Sequence, residues 1–141
     1  MIRTLILCVA GLISMPLAAQ DAAVVARDAW VRLPAPSKND TALFAVIENH
    51  SAQKRKIVAV SSAEAQAAEM HEMRMERMMM VMTPVKEVSI PAHGKTSFNP
   101  DTLHIMLFGL KTRPSVGDMI EVKLRLDDGT IVPVTAIVRK K

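Results

Sequence analysis

Residues 69–82 read EMHEMRMERMMMVM, and the period assigned to them decides whether the chain is all-β or carries a helix. The Ala, Glu and Met content of 62–82 favours a helix on propensity, and Met75, Met78, Met79 and Met82 fall at i, i+3, i+4 and i+7. Against that, 69–77 alternates strictly. His71, Met73 and Met75 face one way while Glu72, Arg74 and Glu76 face the other, which is strand period. We read 69–75 and 79–82 as strands joined by a turn at Glu76-Arg77-Met78, with a short helix before Glu69 as the alternative. That turn lacks the Gly or Asn a tight hairpin prefers.

Outward from this segment the pattern repeats. Short β-branched runs at 24–33, 42–48, 56–60, 86–90, 96–98, 103–110, 119–126 and 130–138 are separated by PAPSKND, ENHSAQ, PAHG, NPD, KTRPSVGD and DDG. Strands at such regular spacing predict a β-sandwich rather than a βαβ fold. Asp127 and Asp128 precede Gly129 as hairpin chemistry. Trp30, alternating with Ala29 and Val31, is expected to anchor the core, as are Met70 and Met119. His50 and His93, beside Asn49 and Gly94, are expected on the solvated surface.

Residues 1–19 read as a cleavable secretory signal: Arg3 gives the positive start, 5–13 the apolar stretch and Leu17-Ala18-Ala19 the small-residue cleavage site. The apolar run is too short to span a membrane. Cys8 is the only cysteine and lies within this segment. Residues 20–141 are then expected to form one thiol-free, monomeric domain with a single core. Losing Arg3 lowers the net charge only from +4 to +3. The basic residues are dispersed, and one Trp and three Phe give no aromatic platform of the kind nucleic acids use.

Seven of the eleven methionines lie within 70–82. A flexible thioether specifies a core poorly, but it binds soft metal ions such as Cu(I), with imidazole as a good companion. Thiols exposed to oxidising conditions outside the cytoplasm form disulfides, which leaves methionine as the soft ligand available to an exported carrier. Its own liability is oxidation to the sulfoxide. A second soft pair, His104 and Met106, stands two apart on the strand at 103–110, so both project to one face. Leu103, Ile105 and Leu107 take the other, apolar face, expected to be the core side.

The four positions follow the spacing H-x10-M-x21-H-x-M: His71, Met82, His104, Met106. With DAWVRLPAP at 28–36, ALFAVIEN at 42–49, VMTPV at 81–85, IPAHG at 90–94 and LHIMLFGL at 103–110, the chain resembles the periplasmic copper chaperones called PCuAC. The resemblance implies a Cu(I) site made by His71, Met82, His104 and Met106 on a Greek-key, cupredoxin-like β-sandwich. It also implies delivery of copper to the CuA centre of cytochrome c oxidase beside Sco-type proteins. Two departures stand out: Glu76-Arg77-Met78-Met79 replaces the family's Gly-containing turn, and the sequence ends without a His/Met-rich tail.

Met73, Met75, Met78 and Met80 are left over as core filler, docking surface or auxiliary ligands, in that order of expectation for the first two against the last. No Ser/His/Asp group, phosphate loop or Cys/His nucleophile site can be assembled, so no enzymatic activity is expected. The competing functions are copper buffering without dedicated delivery, and a Met-rich module that binds a protein partner.

Overall fold

The computed structural model describes residues 22–141. The expected signal segment at 1–19, with Cys8, lies outside the described residues. Ten strands follow one another: β1 (Val24–Arg32), β2 (Thr41–Asn49), β3 (Arg55–Ser61), β4 (Ala65–Glu76), β5 (Met79–Val85), β6 (Val88–Ile90), β7 (Gly94–Phe98), β8 (Leu103–Leu110), β9 (Met119–Leu126) and β10 (Ile131–Arg139). No helix occurs among the described residues, and the short helix allowed before Glu69 is replaced by the first turn-to-strand residues of β4. Alternation therefore outweighs propensity in this segment, because β8 offers β4 a partner along seven registered positions.

The ladder runs β5-β4-β8-β7-β2-β1-β10-β9-β3-β6, with β8 also pairing β2. It folds over on itself, bringing β3 against β4 and β6 against β7, so that inward side chains from both halves share one core. β9 alternates without a break between exposed and buried positions, and β10 does so except for the half-buried Ile137. Leu43, Ile47, Ile57, Ile90, Ile105, Leu107, Leu124 and Val138 are fully enclosed. Each such side chain stabilises the fold by about 1.5–3 kcal/mol relative to exposure.

Two local features set the site. Between Arg27 and Trp30 the register of β1 on β2 shifts, with Asp28 at φ 52°. Before this bulge Val24 and Ala26 point to the core; after it Ala29 and Val31 do. A bulge re-aims every later side chain, and so Trp30, expected in the core, stands on the opposite face, with its ring centroid 4.6 Å from that of Phe44. Met70 is a core residue as expected, but Met119 is exposed. Its neighbours Ile120, Val122, Leu124 and Leu126 take the inward parity of β9.

The second feature is the β4–β5 hairpin. Glu76 pairs with Met79, leaving a two-residue turn at Arg77-Met78, with φ of 48° and 66°. Positive φ at both central positions is the signature of a type I′ turn, the form that matches strand twist. β4 leaves β8 after Glu72, apart from a bond from Met73 N–H to the Thr102 carbonyl at 2.9 Å. The distal hairpin is then a two-stranded ribbon that overhangs the sandwich. β5 forms one edge of the sheet and carries Pro84, opposite His71.

A non-glycine residue in the left-handed region costs about 1–2 kcal/mol, and Asn tolerates it best after Gly. Arg77→Asn is therefore expected to stabilise the hairpin by about 0.5–1 kcal/mol, read as slower amide exchange across β4 and β5. Unchanged or faster exchange would contradict the turn assignment.

Candidate metal centre

The β4–β8 register places His71 directly opposite His104, Glu69 opposite Met106, and Met70 opposite Ile105. Directly opposed residues share a face. Met70 and Ile105 are core residues, so the two histidines and Met106 stand on the outer side. β5 pairs with β4 so that Met82 lies opposite Met73 and Met80 opposite Met75, which adds four thioethers to the same face. β2 completes the surface with Ala42, opposite Met106, and Phe44.

His104 is the centre of this arrangement. Its Nε2 lies 2.7 Å from Met82 Sδ. A thioether is a weak hydrogen-bond acceptor, so this contact supplies little stability of its own; it brings an imidazole nitrogen and a sulfur onto one point. The ring of His71 is 5.9 Å away, centroid to centroid. Both rings are enclosed, with residue exposures of 8% for His71 and 4% for His104. Each Nδ1 is buried without a hydrogen-bond partner among the described residues. Leaving a buried polar nitrogen unpaired costs about 1–3 kcal/mol. On His71, whose Nε2 is taken by Glu69, this leaves Nδ1 as the ring nitrogen free to accept a ligand.

Met82, His104, Met106 and Met73 line one shallow cavity of about 430 Å³, together with Phe44, Ala42, Pro100 and Arg32. His71 sits beside this cavity instead of lining it, packed between His104 and Phe108 at 5.9 Å from each ring centroid. A larger recess of about 600 Å³ elsewhere, lined by Ser61, Glu64, Met119 and Glu121, holds no imidazole and only one thioether.

Several residues beyond the four-position spacing shape the site. Glu69 Oε2 lies 2.8 Å from His71 Nε2. A carboxylate on one ring nitrogen fixes the tautomer and leaves the lone pair on the other, the usual support for a metal-binding histidine. Glu69 and His71, two apart on one strand, share a face, and this was the available sequence signal. Phe44 is buried outside the main core; it carries Trp30 on one side, His104 at 6.5 Å between centroids on another, and the Arg32 guanidinium 5.4 Å from its ring centre. The bulge in β1 is what brings Trp30 into this aromatic floor.

Of the remaining methionines, Met75, Met78 and Met80 are exposed, which leaves docking surface or auxiliary ligand among the alternatives for them and removes core filler; Met79 is exposed as well, and Met73 is half-buried against Met82. His50 and His93 are on the surface as expected.

The electrostatics favour neutral donors. Burial holds the His104 imidazole below its ordinary value, and the neighbouring His71 and then Arg32 add to this. The backbone of Thr102 opposes the shift without cancelling it. Imidazole and thioether bring no negative charge, so the site suits a soft cation of low charge and gives little to a hard divalent ion. Clusters of three or more His, Cys, Asp or Glu with metal-binding geometry are absent among the described residues.

A β-sandwich that carries two buried imidazoles and several thioethers on the outer face of one sheet edge defines a soft-metal domain of cupredoxin-like architecture. The family model described as "Putative lipoprotein LpqE-like" matches residues 24–138. The chain belongs to this family, the family of PCuAC domains. The "Putative lipoprotein Lxx21020" of Leifsonia xyli subsp. xyli (strain CTCB07) is 32% identical over 112 residues, 79% of this chain and 66% of that protein. Among solved structures, the apo PCuAC domain from PmoF1 superposes with a TM-score of 0.71 at 21% identity, covering 85% of this chain and 96% of that domain. The solution structure of CuI-DR1885 from Deinococcus radiodurans gives 0.64 at 31% identity, over 89% of this chain and 84% of that one.

A histidine whose folded-state value is depressed favours folding fully above its ordinary value of about 6.5, and loses that contribution as pH falls toward the depressed value, because the unfolded chain takes the proton first. The metal-free protein is thus expected to lose stability on acidification below about pH 6.5, with the His104 ring titrating below a free imidazole in an NMR titration. A His104 value at or above that of free imidazole would refute the desolvation account.

Proposed function

We propose that this protein is an exported Cu(I) carrier that binds one ion through His104, Met82, Met106 and His71. The observation that carries this reading is the convergence of His104 Nε2 and Met82 Sδ at 2.7 Å, beside two buried and unpaired imidazole nitrogens. The 31%-identical relative whose structure is that of its CuI form supports copper as the cargo. The lipoprotein descriptions of the family and of its relative support export. On this reading residues 1–19 are removed and residues 20–141 work as one domain in the periplasm.

The donor set accounts for the choice of oxidation state. Cu(II) prefers nitrogen and oxygen in tetragonal geometry, whereas thioethers suit Cu(I). With no thiolate among the donors, the bound ion keeps its positive charge. Such a site releases copper to a thiol-bearing acceptor by ligand exchange. Met82 is half-exposed at the sheet edge, so an incoming ligand reaches the ion from that side while His104 and His71 hold it from beneath. Transfer needs no acid, base or nucleophile from this chain, which is the sense in which the protein is not an enzyme. The acceptor we favour is the CuA-bearing subunit of cytochrome c oxidase, directly or through a Sco-type protein.

Titration with Cu(I) against a competing chelator is expected to give one tight equivalent. His104→Ala or Met106→Ala should weaken it by at least about 100-fold, and Glu69→Ala by about 10-fold through loss of ring orientation. If both ligand substitutions leave affinity intact, the assignment is wrong. In cells, a deletion strain starved of copper should lose oxidase activity if the role is delivery; normal oxidase activity with sensitivity to excess copper would instead identify a buffer.

A further inference from the structure

The copper reading uses one end of the β4–β5 hairpin and leaves the other unexplained. Beyond His71 and Met82, the site-side face of the ribbon consists of Met73, Met75 and Met80. Met73 is opposite Met82, and Met75 is opposite Met80 one step further out. Met78 lies in the turn and is 95% exposed. The opposite face is chemically different: Glu72, Arg74, Glu76, Met79, Val81 and Thr83. Sulfur is thus concentrated on one side of the ribbon and graded from half-buried at Met73 to fully exposed at Met78.

Packing does not account for this face. The ribbon overhangs the sandwich, and Met75 and Met80 remain 66% and 52% exposed. Cross-strand neighbours have Cβ atoms about 4.5–5.5 Å apart, and each methionine has three rotatable bonds beyond its backbone. The sulfurs of Met75 and Met80 can therefore meet on one ion, with Met78 closing over it from the turn. The positive φ at Arg77 and Met78 keeps the turn to two residues, which holds Met78 close to the pair.

We propose that Met75, Met78 and Met80 form a second, outer Cu(I) station, from which the ion passes by way of Met73 to Met82 and His104. The proposal rests on the copper reading above and adds an entry and exit route to it. Each step between methionines makes one Cu–S bond and breaks another, and the last makes a Cu–N bond to His104 as a Cu–S bond breaks; the copper stays Cu(I), and a proton is released only where the imidazole enters the step protonated. Because thioethers do not protonate in the range that titrates imidazole, the outer station holds copper equally well on either side of the histidine transition, while the inner site weakens on acidification.

The test is a Cu(I) titration of the purified protein at pH 7 and pH 5, paired with stopped-flow loading from a Cu(I)–chelator complex. The native protein should bind a second, weaker equivalent whose affinity is the same at both pH values. A Met75→Leu/Met78→Leu/Met80→Leu variant conserves volume and should fold normally. It should lose the second equivalent, keep the first within about threefold, and load about tenfold more slowly for want of the tethered intermediate ligand. His104→Ala should keep the weak, pH-independent equivalent. A triple-leucine variant that matches the native protein in stoichiometry and loading rate overturns the outer station, as does a native protein that binds a single equivalent. If His104→Ala instead leaves the tight equivalent untouched, the inner ligand set fails and the outer station is judged on the triple variant alone.

Discussion

The antiparallel register between β4 and β8 sets His71 opposite His104 and, one step along the pleat, Met70 opposite Ile105. The second pair enforces the first. Met70 and Ile105 are both buried in the core, and a one-residue slip would exchange them for the histidines, placing two polar rings among aliphatic side chains and stranding two apolar ones outside. The site therefore has no need of a dedicated loop to hold it. It is the outer side of a pleat whose inner side is fixed by hydrophobic burial, and its precision derives from the rigidity of the strands that carry it.

The same arrangement sets the environment of the imidazole donors. His104 is backed by Phe44, which is itself clamped between Trp30 and Arg32. This apolar backing withdraws water from the ring, depresses its proton affinity and leaves its Nδ1 without a partner. Glu69 acts differently, holding His71 by its Nε2 from the rim of the sheet.

Much of this was legible in the chain. Alternation in 69–75 and the two-residue spacing of Leu103, Ile105 and Leu107 predicted strands and the face each side chain takes, and the observed β4 and β8 contain those segments. The four-position spacing pointed to residues that the fold does bring to one face. What escaped had physical causes. Trp30 changes sides because of a bulge at Asp28, and a strict two-residue period cannot register an extra residue. Phe44 matters through partners on other strands, which periodicity within one segment does not reveal, whereas Glu69 stands two residues from His71 on the same strand and was open to reading. Met119 was a misreading of available information, since Ile120, Val122 and Leu124 fix the inward parity of β9 and exclude it. The turn was placed at Glu76-Arg77-Met78 by its flanking strands, but its closure in two residues gave no signal, because neither Arg77 nor Met78 favours positive φ.

Pro84 sits in β5, at the outer edge of the sheet, across from His71. An edge strand rich in exposed methionine is an invitation to further strand pairing, and proline withdraws one amide donor from it. A second chain seeking to extend the ladder along β5 would meet a gap in the hydrogen-bonding row beside the metal-binding face. Strand addition at this edge is thus disfavoured at the position across from His71, while the methionine side chains of β5 stay accessible.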